Sequence, residues 1–244
     1  MSVTSKKKKQ SYIEHLTELR SRLLRSAAII LVFFLSLIYF SNDIYEFLAG
    51  PLQSLIPSNS SMIATQVASP FLTPLKLTFY VSLFFSIPYV LYEMWRFVAP
   101  GMYKKERKFS VTILFISIAL FYLGVLFAYF VVFPLIFSFF TSITPGGVKI
   151  MTDISSYLDF IVTMFLAFAI TFEIPVFILL LNWSGITSPQ SLSAKRPYVI
   201  LMCFVFGMLL TPPDIISQTL LAIPAWLLFE AGLLLSRVLI KDKN

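Results

Sequence analysis

A single cysteine, a single histidine and a shortage of charge set the first limits on this chain of 244 residues. Cys203 lies inside an apolar run with no second thiol to meet, so an intrachain disulfide is excluded and a small apolar packing role is expected. With His15 as the lone imidazole, neither an H-E-x-x-H zinc site nor a Ser-His dyad can be assembled, and G-x-S-x-G is absent. No metal or cofactor is expected. Charged residues make up 13% of the chain, against about 25% in an ordinary soluble domain. Acids are the scarcer sign, 12 Asp and Glu against 19 Lys and Arg, for a formal net charge of +7. Nucleic acid does not follow from that excess, because the bases sit between apolar runs without interleaved aromatics; anionic lipid headgroups are the expected counter-charge. Period-two alternation is missing too, which argues against a β-barrel.

What remains is 58% hydrophobic and 16% aromatic, with 26 Phe, a composition suited to helices that face lipid and one another. The expected fold is an all-α polytopic membrane protein: one membrane domain over residues 1–244, six transmembrane helices, both termini cytoplasmic. Residues 1–25 form a basic tail in which Ile13, Leu16, Leu19, Leu23 and Leu24 recur at helical spacing, so an amphipathic helix should run into the first span. Lys6 to Lys9 resemble the charged start of a signal peptide, yet the apolar run beyond Ser26 is of spanning length and lacks a small-residue cleavage site; an uncleaved span is expected. Spans are placed at about 23–40, 71–97, 109–140, 154–183, 197–210 and 215–239, with Pro88 and Pro134 as candidate bends and Pro175 inside the fourth. The last two are the shorter ones. About 14 residues at 1.5 Å each give the fifth only about 21 Å, against a hydrocarbon core of about 30 Å. Sidedness comes from FVAPGMYKKERKF at 97–109, whose Lys104, Lys105, Arg107 and Lys108 mark a cytoplasmic loop; residues 41–70 hold no Lys or Arg and read as an external loop capping the bundle. Asp159 and Asp214 then fall at outer span ends, so a pair of intramembrane catalytic aspartates is not expected.

Three glutamates are the candidates for function. Glu173 lies in the middle of the fourth span, where an ionised carboxylate costs several kcal/mol unless it is paired or protonated. It is either a neutral, hydrogen-bonded helix contact or a functional group. Glu18 and Glu106 lie among bases just outside a span, and each is either a solvated salt bridge, with Arg20 or Lys105, or a receptor for an incoming cation.

HLTELRSRL at 15–23, SPFLTPLKL at 69–77, FVAPGMYKKERK at 97–108, YFVVFP at 129–134, FEIP at 172–175, KRPYV at 195–199 and LLTPPD at 209–214 together resemble the TatC family, a subunit of the twin-arginine protein translocase. The resemblance runs over about 15–237. It implies a non-enzymatic receptor in the bacterial cytoplasmic membrane. The cargo would be folded proteins bearing twin-arginine signal peptides, and export would be driven by the proton motive force with the single-span partners TatA and TatB and other copies of the subunit. The family's signal-binding glutamates correspond to Glu18 and Glu106, with Phe97 beside them and Arg20 orienting Glu18. Pro51 corresponds to a position in the external cap. Met208, Thr211 and Gln218 correspond to positions that meet a partner helix, and Glu173 to one on the concave side. Two rival readings stand beside this one: a proton-coupled small-solute carrier using Glu173, and an assembly scaffold.

Overall fold

The computed structural model describes residues 2–55, 62–98, 107–143, 151–211 and 214–241, and their side chains over 16–50, 62–97, 111–143, 151–211 and 214–238. Every element in these stretches is helical: α1 (Ser2–Leu37), a 3-10 turn (Ile38–Phe40), α2 (Ser41–Leu55), α3 (Ser69–Val98), α4 (Arg107–Phe127), a π-helical turn (Ala128–Val132), α5 (Phe133–Ser142), α6 (Ile154–Phe172), α7 (Ile174–Trp183), α8 (Pro189–Ala194), α9 (Arg196–Leu210) and α10 (Ile215–Lys241). Among the described residues, five segments are long and apolar enough to cross a membrane: Leu16–Gly50, Ser69–Phe97, Val111–Ser142, Ile154–Trp183 and Ile215–Val238. Arg196–Leu210 is a shorter apolar helix.

The external loop expected from 41 onward is helical as far as Leu55. Asp43 in its first turn suits the positive end of the helix dipole, and the 3-10 turn joins it to α1 with hardly a break. Elsewhere proline decides where helices divide. Pro134 lacks an N–H and so cannot satisfy the carbonyl four residues earlier; the π turn over 128–132 takes up the mismatch directly ahead of it. Pro175 divides α6 from α7 in the same way, leaving Glu173 at the junction with its N–H shared between the carbonyls of Ile170 and Thr171. Pro88, by contrast, is carried inside one continuous helix, α3.

Contacts gather the chain into two units, Met1–Tyr45 with Pro74–Ile118, and Glu46–Thr73 with Ala119–Asn244. In the first, α1 and α3 meet through Phe33 and Phe85, stacked at 6.3 Å, and Phe34 and Phe79, edge-on at 6.0 Å. Three hydroxyls buried along α3 are satisfied within the helix: Thr78 donates to the Pro74 carbonyl, Ser82 to that of Thr78 and Ser86 to that of Ser82.

The second unit is built on aromatic rings. Phe133 is fully buried and lies 5.1 Å from the ring of Phe165, and Phe47 stacks on Tyr129 at 6.0 Å. Close backbone approach completes it. A Cβ at Gly124 would stand 2.6 Å from the Phe168 carbonyl oxygen, so α4 and α6 meet where only glycine fits; Gly232 allows α10 the same approach to Pro175 and Ile178 of α7. Asp153 fastens the connection ahead of α6. One carboxylate oxygen caps the helix through the N–H groups of Ser155 and Ser156, and the other accepts from the backbone and hydroxyl of Thr65. The Thr65 hydrogen bonds, followed by those at the cap, hold the Asp153 carboxyl well below the usual carboxylate range. Beside it, Ile63 exchanges backbone hydrogen bonds with Thr152 and Ile154.

Candidate functional site

The first unit carries the densest charge cluster among the described residues. Positions 18, 22 and 25 fall at helical spacing on one face of α1, and 89, 93 and 97 on one face of α3. Arg22 joins the two stripes. Its Nη2 donates to the Glu18 carboxylate, and its Nη1 lies 3.3 Å from Glu93 Oε2 and 3.1 Å from the Glu93 carbonyl oxygen. Arg25 Nη1 reaches Glu93 Oε1 at 3.3 Å, and the Tyr89 hydroxyl donates to the same oxygen at 3.1 Å. The Arg22 guanidinium carbon lies 6.0 Å from the centre of the Phe97 ring, at the outer limit for a cation–π contact.

Burial is graded across the cluster. The Glu93 side chain is 3% exposed, that of Arg22 11% and that of Glu18 40%. A carboxylate buried as deeply as Glu93 is costly to keep unless its lone pairs are met, and here two arginines and a tyrosine meet them. Two carboxylates face two guanidiniums, so the four groups balance in formal charge.

Arg20, expected to orient Glu18, lies two residues from it on α1. Two residues along a helix turn the side chain about 200° away, and Arg20 is exposed. Arg22, one full turn on, is in contact with the Glu18 carboxylate. Glu93 is the residue sequence reasoning overlooks. Its signal is the one applied to Glu173, a lone carboxylate in an apolar run, together with a facing helix that presents Arg22 and Arg25 on one side. Glu106 lies outside the described residues, as does the side chain of Pro51, which belongs to α2.

In the second unit Glu173 is partly buried at the α6–α7 junction, with Oε1 enclosed. The three docking candidates are unequally presented. Met208 is 56% exposed, whereas Thr211 is buried and its hydroxyl donates to the Gly207 carbonyl. Gln218 has an intramolecular use, since Nε2 donates to the Phe204 carbonyl at 2.9 Å and so staples α10 to α9. Arg196 at the start of α9 forms a bidentate pair with Glu230 of α10, at 2.5 and 2.7 Å. Glu230 is a second intraspan acid whose partner the sequence does not announce.

Apolar helices of spanning length, aromatic packing and buried ion pairs define the chain as a multi-pass α-helical membrane protein. Residues 14–224 match the family model for Sec-independent protein translocase protein (TatC). TatC of Haemophilus influenzae is 56% identical over 228 residues, covering 93% of this chain and 89% of that protein. TatC of Escherichia coli K12 is 55% identical over 236 residues, covering 96% and 92%. A crystal structure described as the twin arginine translocase receptor TatC superposes with a TM-score of 0.81 at 33% identity, over 92% of this chain and 98% of that one. The chain belongs to the TatC family and is a subunit of the Sec-independent, twin-arginine protein translocase. Protein transport of this kind takes the place of the small-solute carrier and of the scaffold.

Proposed function

We propose that the chain is the receptor subunit that captures twin-arginine signal peptides at the cytoplasmic face of the bacterial inner membrane, with both termini in the cytoplasm. It passes folded cargo to a complex with TatA and TatB, driven by the proton motive force. Glu18 and Glu106 each take one guanidinium of the arginine pair, and Phe97 flanks them. The external segment containing Pro51 caps the bundle, and the outer ends of α9 and α10, around Met208, Thr211 and Gln218, receive a partner helix. Glu173 serves as a polar contact on the concave side. Arg20 flanks this site on α1, and Arg22 is the neighbour in contact with Glu18.

The observation that supports this most is that the Glu18 carboxylate and the Phe97 ring already enclose a guanidinium, that of Arg22. Guanidinium binds carboxylate through paired, planar donors and lies over aromatic faces, which an ammonium group does less well. A signal peptide with its arginine pair replaced by two lysines should therefore bind the purified full chain about tenfold or more weakly, the worth of one charge-assisted hydrogen bond. Equal affinity for the two peptides, measured by fluorescence anisotropy in detergent micelles, contradicts the assignment.

A further inference from the structure

In the cluster between α1 and α3, Arg22 fills the place at Glu18 that an incoming arginine needs. We propose that Arg22 is an internal stand-in for a signal arginine and that Glu93 is a positioning residue, the acceptor onto which Arg22 withdraws when the peptide binds. The proposal rests on the reading of Glu18 as a receptor group and adds to it how that group is vacated.

The bridging position of Arg22 between two carboxylates carries the exchange. Among the described residues Arg22 contacts both Glu18 and Glu93, and Arg25 contacts Glu93, so another guanidinium arriving at Glu18 competes with Arg22 for that carboxylate. Arg22 is too enclosed to be left unpaired, its side chain being 11% exposed. Its second contact is already in place: Nη1 lies within 3.3 Å of both Glu93 Oε2 and the Glu93 carbonyl oxygen. Arg22 Nε is buried and donates to nothing among the described residues, so the side chain has a donor in reserve as it shifts. Arg25 can yield its share of Glu93 at small cost, because its side chain is 50% exposed and can be hydrated, while Tyr89 keeps its hold on Oε1. The exchange moves one guanidinium between two carboxylates. No charge is left buried alone.

Four full-length variants test this against a fluorescent twin-arginine peptide. Arg22→Gln should bind about tenfold more tightly than the parent, since nothing competes for Glu18. Glu93→Gln should bind about tenfold more weakly, because the displaced Arg22 has no carboxylate to receive it. Glu93→Gln combined with Arg22→Gln should recover at least the parent affinity. That recovery separates an exchange partner from a residue that only holds the helices together, and a gain of affinity cannot come from a damaged fold. Glu18→Gln tests the underlying reading. If it binds as the parent does, the receptor assignment falls and the exchange with it. If Glu18→Gln loses affinity but Arg22→Gln gains none and the double variant fails to recover, the assignment stands and the exchange is overturned.

Discussion

Replacing Glu18 and Glu106 together by glutamine is expected to lower affinity for a twin-arginine signal peptide by about 100-fold, with the protein still inserted and folded. Two charge-assisted hydrogen-bonded contacts of about 1.5–3 kcal/mol each would remove 3 kcal/mol or more, which is about two decades in the dissociation constant. The low end applies because Glu18 is 40% exposed and solvent screens it. Glutamine keeps the shape and the acceptor oxygen, so the loss reports charge and not volume. Arg22 retains Glu93 in this variant, and the α1–α3 contact should survive, with an unchanged thermal midpoint in detergent. An affinity within about threefold of the parent, well below the tenfold that one such contact is worth, would remove both glutamates from the site.

The second large effect concerns the fold. Gly124→Leu should cost about 1–3 kcal/mol or more by overpacking, because the first carbon added would stand 2.6 Å from a backbone oxygen, Phe168 O, that cannot rotate away. The contrasting change is Gly50→Ala in α2, where nothing lies within 4 Å of the added carbon. An alanine there should be neutral or stabilising by about 0.5–1 kcal/mol through its helix propensity. In the same detergent the thermal aggregation midpoint of the leucine variant should fall, while that of the alanine variant should hold or rise. A leucine at 124 that left the midpoint unchanged would mean that α4 and α6 do not approach there as described.

Why composition reveals so much of this protein is physical. Lipid forces backbone groups to pair within helices, so long apolar runs with few charges already define an all-helical, multi-pass fold. Helix divisions at Pro134 and Pro175 are legible for the same local reason, a missing N–H. The helical character of 41–55 is not, because Ser, Asn, Gly and Pro read as a turn until the preceding span is seen to continue into them.

Pairing between helices is the least legible feature. Glu18 can be seen as a candidate, and its helical neighbour Arg22 follows from spacing, but Glu93 and Glu230 acquire meaning only from the arginines that a second helix brings to them. Likewise the use of Gln218 depends on the Phe204 carbonyl, 14 residues away in sequence and on another helix. Apolar periodicity marks which face of a helix is buried. Which polar group meets which across two helices depends on register, and short motifs do not encode it.

Site-specific photocross-linking gives the most direct test of the receptor assignment. A photoreactive residue placed beside the arginine pair of a signal peptide should form adducts with α1 around Glu18 and with α3 around Phe97. Excess unlabelled twin-arginine peptide should suppress them, and a twin-lysine peptide should not. Adducts confined to α9 and α10, or adducts indifferent to the competitor, would contradict the placement of the arginine site.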